Sequence, residues 1–521
     1  MRAPFPWRAA RRRRRGWDGA VKSIRATSMI SPTRPAPGAD GAAPSTRRGQ
    51  SGVLVLLALL LTGCPVGPNF VKPEPEMPPA YRSEIEPAEA VSFAALAWWD
   101  VFDDEILRSL IEEALAGNYD LRTAVYRVEQ AKHTVGVTRS PLFPQIGYQG
   151  GAGRGKVFTG LQQDNVTLNN FLGTFNLAWE IDLWGRIRRA TEASMADFLA
   201  AEDFRRGVVL SLVSAVAQAY FELQELDLEL EIALRNTQSF RETEALFTRR
   251  FQGGVDSLLS VERAKAAYHQ TAAAIPQVEQ QIVAKENQIS ILLGRAPGPI
   301  PRRPLLTIEA LPPETPPGLP SELLQRRPDI LQAEEQIKAA NALVGVSVAN
   351  FFPKIGLTTL YGGQSSELQN IVKGPGVVWN VAGSVLGPLF TGGQLIESYR
   401  AQKAEWEAAK QQYEQAVLTA LGEVSDALIA QEKLAVVENE QARAVKALSE
   451  SVRLALLRYN GGLSSYYEVL EAQQQLFPAE NALAATARDR LLAVVQLYAA
   501  LGGGWEATDK PEEVGFWPTG P

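Results

Sequence analysis

The sequence contains the segment NYDLRTAVYRVEQAKHTVGVTRSPLFPQIG at residues 118–147 and a second version of it, RPDILQAEEQIKAANALVGVSVANFFPKIG, at residues 327–356. The two versions lie about 209 residues apart and share a Val-Gly-Val triplet and a Phe-Pro pair. A second matching pair, FQGGVDSLLSVERA from Phe251 and YNGGLSSYYEVLEA from Tyr459, follows at nearly the same spacing. This period is too long for a solenoid unit, so the chain is predicted to contain two structurally equivalent halves.

Each half contains a long helical tract that no proline interrupts. The first tract runs from Arg186 to about Phe251, and the second runs from Gln394 to about Tyr459. At 1.5 Å per residue, a tract of this length forms about 100 Å of helix. The fold class is therefore predicted to be mainly α.

A pair of glycines ends each long tract, and a return tract of about forty residues follows it. Glycine tolerates the positive φ that closes a helix, so both pairs are predicted to be the turns of long antiparallel helical hairpins. The four residues are Gly253, Gly254, Gly461 and Gly462.

Two glycine-rich segments, at about residues 146–182 and 354–390, alternate like β-strands with aromatic ends. Each predicts a β-hairpin whose strands have roughly the length that a tilted strand needs to cross a bilayer. Four such strands cannot close a barrel, because the smallest membrane barrels have about eight strands and open edges are not tolerated in lipid. Two copies would supply eight strands and three copies twelve, with the helical hairpins gathered into a tube.

The N-terminus reads as a secretory leader with a lipid-attachment site. Residues 53–61 form a short apolar run behind Arg47 and Arg48, and Leu-Thr-Gly-Cys ends it at Cys64. The run is too short to span a bilayer, and the pattern is typical of a bacterial lipobox with cleavage before Cys64. The alternative interpretation is that residues 53–61 form a short buried strand and that Cys64 follows it by chance. Because the leader is unusually long, translation from Met29 is a second possibility.

Composition excludes several classes of function. Residues 1–63 hold 12 of the 52 basic and 2 of the 58 acidic residues, so the processed chain carries a formal charge near −16, which disfavours nucleic acid as a partner. One cysteine and two histidines offer no metal-ligand spacing and no catalytic arrangement, so neither an enzyme nor a cofactor is expected. The glycines at residues 150–155 resemble a phosphate loop, but Val157 stands where Ser or Thr is required.

The resulting domain organisation has two repeats separated by a proline-rich connector. The predicted parts are the leader at 1–63, an extended segment at 64–97, the first repeat at 98–294, the connector at 295–320, the second repeat at 321–505 and a tail at 506–521.

Several blocks in order resemble the outer-membrane factor lipoproteins of tripartite efflux systems, the TolC/OprM/NodT family. The blocks are CPVGPNFVKPE from Cys64, WWDVFDDEILRSLIEEALAGNYDL from Trp98, WEIDLWGR from Trp179, GLPSELLQRRPDILQAEEQIKAANALVGVSVANFFPKI from Gly318, GPLFTGG from Gly387 and RYNGGLSSYYEVLEAQQQLFPAEN from Arg458. They cover about residues 60–505, which is essentially the whole processed chain.

The resemblance implies a homotrimer with a twelve-stranded outer-membrane barrel and a periplasmic α-helical tunnel, anchored by lipid on Cys64. It implies two partners, a periplasmic adaptor protein and an inner-membrane pump of the RND type. The glycine turns would be the adaptor-contact tips. Glu468 and Glu471 align with acidic residues that line the closed aperture in related channels, and a solvated helix face is the alternative reading of this pair.

The predicted function is passive export of small toxic compounds such as drugs. Two alternatives stay open within this interpretation: a duct for heavy metals or for secreted proteins, and a lipid-anchored coiled-coil scaffold without a pore. Trp179, Trp184 and Trp379 flank the predicted strands, where they would form an interface belt or pack in the core.

Overall fold

The computed structural model describes residues 65–81, 104–158, 165–303 and 320–503. The predicted leader, Met29, Cys64, the middle of the connector and the tail at 506–521 lie outside these residues. The described helices are α1 Glu105–Gly117, α2 Tyr119–Arg139, α3 Arg186–Gln252, α4 Leu258–Ala272, α5 Ala274–Leu292, α6 Leu323–Arg326, α7 Pro328–Ala349, α8 Gln394–Asn460 and α9 Tyr466–Ala500. The strands are β1 Gln145–Phe158, β2 Asn165–Ile181, β3 Lys354–Ser365 and β4 Val377–Leu386.

The predicted helical hairpins are confirmed, and the two long helices, α3 and α8, each contain 67 residues. Each begins after a glycine in the left-handed region, Gly185 with φ 76° and Gly393 with φ 90°. Asp182 completes the start of α3, because its carboxylate accepts hydrogen bonds from the backbone N–H groups of Ile187 and Arg188 at 3.0 Å each. The turns that end both helices place Gly254 and Gly462 at φ 71° and 73°.

The two return tracts differ from each other. In the first half the tract breaks at Ala273 into α4 and α5, whereas in the second half α9 runs unbroken for 35 residues with Pro478 inside it. Pro276 lies in the first turn of α5, where a residue without an N–H donor costs no helical hydrogen bond. A return tract is therefore present in both halves, as predicted, but it is one continuous helix only in the second.

The four strands form one antiparallel sheet in the order β1-β2-β3-β4. The central pair, β2 with β3, joins the two halves of the chain, with Phe175 opposite Tyr361. Strands β1 and β4 are left as the two edges, and neither has a second partner among the described residues. The sheet is thus open, as expected from the prediction that four strands are too few to close a barrel.

The main core lies where both halves of the helical body meet. Tyr220 of α3 and Tyr413 of α8 are fully buried in it, together with Ile289 and Ile330. A second, separate cluster lies around the glycine turns. The helical body is therefore held together at its middle and again at its far end.

Candidate functional site

One face of the sheet is apolar across all four strands. Tyr148, Phe175, Tyr361 and Trp379 stand opposite one another in a single row, one from each strand. All four are more than 60% exposed, as are Ile146, Val381 and Val385 on the same face. A row of exposed aromatic residues within an apolar face is the signature of a strand surface that contacts lipid.

The opposite face carries uncharged polar groups. Asn170, Thr174 and Asn176 of β2 point to this side, together with Gln364 of β3 and Asn380 of β4. The Gln364 amide donates a hydrogen bond to the Asn170 side-chain oxygen at 3.1 Å. An apolar face backed by a polar face is the alternation expected of a barrel wall between lipid and a water-filled lumen.

The N-terminal segment is bound at the junction between sheet and helices. The Val66 N–H donates to the Trp184 carbonyl at 3.1 Å, and the Arg189 guanidinium donates to the Asn69 side-chain oxygen at 2.9 Å. Pro65 lies so close to Gly185 that a Cβ on that glycine would stand 2.6 Å from the Pro65 Cα atom. Pro65, the first described residue of this segment, is therefore packed at the base of the sheet.

The tips of the two helical hairpins contact each other through aromatic side chains. Phe247 from the first hairpin packs between Tyr459 and Tyr466 of the second, with ring centroids 5.4 and 3.9 Å away. Val261 and Val469 belong to the same buried tip cluster. The second hairpin is thus packed against the first at its far end.

A polar contact lies beside the tip cluster. The Tyr459 hydroxyl donates to the Asp256 carboxylate at 3.0 Å, and the Arg250 guanidinium lies over the Tyr459 ring, 4.7 Å from its centroid. Partial burial opposes ionisation of Asp256, but hydrogen bonds from Ser257, Ser260 and Tyr459 together with the Arg250 charge hold its pKa below the usual value. Burial, followed by the bond to Asp256, raises the pKa of Tyr459 to about 12. Arg250, Asp256 and Tyr459 were not predicted from the sequence.

The predicted gate residues lie near this contact but outside it. Glu468 and Glu471, in the first turns of α9, are both exposed. Glu468 is 3.7 Å from the Arg458 guanidinium of its own hairpin, and Glu471 accepts a hydrogen bond from Gln475 at 3.4 Å. Neither carboxylate bridges to the first hairpin among the described contacts.

The four glycines close the two turns, as expected from their spacing. Each second glycine, Gly254 and Gly462, has a positive φ and open space around it, since a Cβ there would meet nothing within 4 Å. Backbone conformation, and not crowding, therefore explains these two glycines.

The three tryptophans have different surroundings. Trp379 is 73% exposed within the aromatic row. The Trp179 indole N–H donates to the Leu142 carbonyl at 2.9 Å, and the Trp184 indole N–H donates to the Pro353 carbonyl at 2.8 Å. The latter two indoles join strand ends to neighbouring segments.

A cluster of charged groups links the halves at mid-body. Glu225 of α3 is buried and accepts a hydrogen bond from Arg488 of α9 at 3.0 Å. A cavity of about 460 Å³ beside it is also lined by Glu222, Glu229 and Lys285. Burial first, and then the charge of Glu229, raises the pKa of Glu225 to about 7, although Arg488 works in the opposite direction.

Comparison with known proteins identifies the family. The family model described as outer membrane efflux protein matches residues 110–295 and 319–503, so one copy falls on each half of the chain.

Among the described residues, no group of three or more His, Cys, Asp or Glu side chains is placed to hold a metal ion.

Individual relatives match over nearly their whole length. The chain is 30% identical over 453 residues to the cation efflux system protein CusC of Escherichia coli O6:H1, covering 86% of this chain and 98% of the relative. It is 32% identical over 462 residues to the probable efflux pump outer membrane protein TtgC of Pseudomonas putida, covering 87% and 95%. The solved structure of the outer-membrane channel OprN matches with a TM-score of 0.79 and 32% identity, covering 85% of this chain and all of that one.

These matches agree with the two hairpin repeats and the sheet whose two faces differ in polarity. They place the protein in the outer membrane, with its helical body on the periplasmic side, and make it an efflux channel component. The chain belongs to the outer membrane efflux protein family.

Proposed function

We propose that three copies of this chain assemble into a twelve-stranded barrel that serves as the exit duct of a tripartite efflux pump. The observation that carries the proposal is the open four-stranded sheet, with one apolar and one polar face. Its unpaired edges, β1 and β4, would be costly in lipid, and pairing β1 of one copy with β4 of the next removes both.

The long helix of the second half supports the same assembly. Leu418, Val436 and Leu454 lie on one side of α8 and are 63%, 59% and 46% exposed. Both intervals between them are 18 residues, which is five turns of an α-helix. In the proposed trimer this side of α8 packs against the first half of the next copy.

Cys64 is proposed to be the lipid-bearing residue after removal of residues 1–63. The contacts of Pro65 and Val66 at the base of the sheet support this, because they hold the chain start at the level of the inner leaflet. The proposed domain organisation is unchanged. It consists of an extended segment at 64–97, the first repeat at 98–294, the connector at 295–320, the second repeat at 321–505 and the tail at 506–521.

The far end of the helical body is proposed to be both the adaptor-contact region and the gate. The turns at Gly253, Gly254, Gly461 and Gly462 would contact a periplasmic adaptor. The Tyr459–Asp256 hydrogen bond is the contact that would hold the second hairpin inward. Glu468 and Glu471 would add carboxylates at the aperture, in three copies.

The exported compounds are proposed to be small toxic molecules such as drugs, driven by an inner-membrane pump of the RND type. Heavy-metal export is the second candidate, because a relative of nearly equal similarity is named a cation efflux protein. The polar face of the sheet is compatible with both. A scaffold without a pore does not require a sheet with one apolar and one polar face, whereas a barrel wall between lipid and water does.

Reconstitution in planar bilayers tests the channel directly. The purified protein is expected to give discrete single-channel steps, because the polar sheet faces enclose water. A protein that binds bilayers but never conducts, with or without an added adaptor, would favour the scaffold instead.

A further inference from the structure

The two-stranded end of the first β-hairpin carries a group of polar side chains on the apolar, lipid-facing side. Pairing between β2 and β3 ends at Phe171 opposite Ser365, but β1 and β2 stay paired as far as Phe158 opposite Asn165. The hairpin therefore extends beyond the four-stranded part of the sheet. Arg154 and Lys156 lie in this extension, and both are exposed.

The face on which these cations lie follows from the strand register. Arg154 and Lys156 are an even number of residues from Tyr148, so they share its side of the sheet. Arg154 stands opposite Asn169, and Lys156 stands opposite Thr167. Directly opposed side chains on one face are about 5 Å apart, so two cations, an amide and a hydroxyl form one group of hydrogen-bond donors.

The height of this group follows from the length of the apolar face. On β2 the lipid-facing positions from Ile181 to Phe171 are apolar or glycine. That stretch is about 34 Å long, which at the tilt of a barrel strand covers about 26 Å of membrane, close to the apolar band of outer-membrane barrels. The donor group begins at the next lipid-facing residue, Asn169, at the level of the headgroups.

The leaflet is fixed by the direction of the chain. The ends of the strands at Gln145, Ile181 and Lys354 continue directly into the helical body, which lies on the periplasmic side. The hairpin end with Arg154 and Lys156 is the opposite one and faces the outside. In an outer membrane that leaflet is built of a glycolipid whose headgroup carries phosphates.

We propose that Arg154 and Lys156, with Asn169 and Thr167, form a binding site for the phosphate groups of the outer-leaflet glycolipid. A cation facing hydrocarbon at mid-membrane is costly, whereas at the headgroup level it is nearly neutral and gains charge-assisted hydrogen bonds. Both cations are exposed, and neither forms an ion pair with a described residue. In the proposed trimer, on which this inference rests, three such sites surround the barrel.

The test measures binding of lipid A by the full-length protein in detergent. The probes are bisphosphorylated lipid A, its dephosphorylated form, phosphatidylglycerol and inorganic phosphate. The double variant Arg154→Gln/Lys156→Gln is compared with Lys354→Gln/Lys403→Gln, which removes as many positive charges from the periplasmic side. Wild type and control are expected to bind bisphosphorylated lipid A about 30-fold more tightly than the Arg154/Lys156 variant does.

Three results would overturn the proposal. The first is equal affinity of the wild type for bisphosphorylated and dephosphorylated lipid A. The second is an affinity for phosphatidylglycerol equal to that for bisphosphorylated lipid A. The third is complete displacement of bisphosphorylated lipid A by inorganic phosphate at the same concentration. Conductance of the same samples separates this inference from the proposed channel. A wild type that conducts but does not select phosphorylated lipid A refutes only the glycolipid site, whereas a wild type that does not conduct refutes the channel.

Discussion

The two halves of the chain have nearly the same elements but very different surroundings. The long helices α3 and α8 are equal in length, yet 25 side chains of α3 are buried against 8 of α8. The repeated glycines differ in the opposite direction, because here the copy in the second half is the crowded one. A Cβ on Gly345 would stand 3.0 Å from Arg189, and Gly67 packs on its backbone, whereas a Cβ on Gly136 would meet nothing within 4 Å.

These differences teach that each half contributes one well-buried helix, α3 from the first and α7 from the second. The equivalent helices in the other half, α8 and α2, keep much of their surface exposed. The sequence pattern of α8 is that of a packed helix, but much of its surface has no partner among the described residues. The open edges of the sheet show the same incompleteness. A neighbouring copy would supply the missing partner for both.

The largest expected effect comes from altering the exposed side of α8. Leu418→Arg with Val436→Arg should abolish trimers, because each buried apolar side chain contributes roughly 1.5–3 kcal/mol and the change is repeated in every copy. Light scattering in mild detergent measures the outcome. Leu418→Met with Val436→Ile keeps the surface apolar and should leave trimers intact. If the arginine variant stays trimeric, α8 is not at the subunit interface.

The next effect concerns the contact between the halves at the tip. Tyr459→Phe removes one hydrogen bond to a carboxylate, worth about 1.5–3 kcal/mol, and should raise the ratio of open to closed single channels by roughly 10- to 150-fold. Tyr467→Phe, on an exposed tyrosine of the same hairpin, is the control. Unchanged gating in Tyr459→Phe would show that this bond does not hold the tip closed.

Acid should not release that contact at moderate pH. A carboxyl with a lowered pKa contributes its stabilisation above its unfolded value and loses it only as the pH falls through the folded value. Because the pKa of Asp256 is held below the ordinary value of an aspartate, gating through this contact should be the same at pH 7 and pH 5. A wild type that opens between these values through loss of the Tyr459 bond would contradict the assignment.

The contact between Glu225 and Arg488 at mid-body, by contrast, should change the stability of the protein between pH 5 and pH 8. The pKa of Glu225 is raised to about 7, so the fold favours its neutral form and loses that contribution as pH rises through about 7. Glu225→Gln should therefore match the wild-type Tm at pH 5 and exceed it at pH 8. Glu231→Gln, on an exposed residue of the same helix, is the control. Parallel Tm curves for wild type and Glu225→Gln would refute the burial argument.

The smallest effect is expected from Glu468→Ala with Glu471→Ala. The Glu468–Arg458 pair is exposed, and such pairs are worth about 0–1 kcal/mol, so resting conductance should rise only slightly. Three copies would lose about six negative charges near the aperture, which should weaken cation preference in bilayer recordings. Glu432→Ala with Glu440→Ala removes as many charges elsewhere on the hairpin. Equal ion selectivity in both variants would place Glu468 and Glu471 outside the lumen.

Much of the fold could be predicted because its signals are local. Proline-free tracts, glycine pairs and alternating strands are read over a few turns or residues, and they indicated the hairpins and the four strands. The break at Ala273 was missed, because Pro276 and Pro478 look alike in the sequence but only the first interrupts its return tract.

The tip contact could not be predicted, because it depends on packing between distant segments. Tyr459 and Asp256 are 203 residues apart, and no local pattern marks either of them. The sequence drew attention to Glu468 and Glu471 because they follow a recognisable turn, whereas the hydrogen bond between hairpins involves their neighbours. Glu225 was missed for the same reason, since its partner Arg488 lies on the other half of the chain.

The mass of the intact particle tests the central claim most directly. Native mass spectrometry of the wild-type protein, released from mild detergent, is predicted to give three times the protomer mass, which corresponds to twelve strands. A dimer would supply only eight strands, and a monomer would leave both sheet edges in lipid. Either result, confirmed by crosslinking in membranes, would contradict the proposed shared barrel.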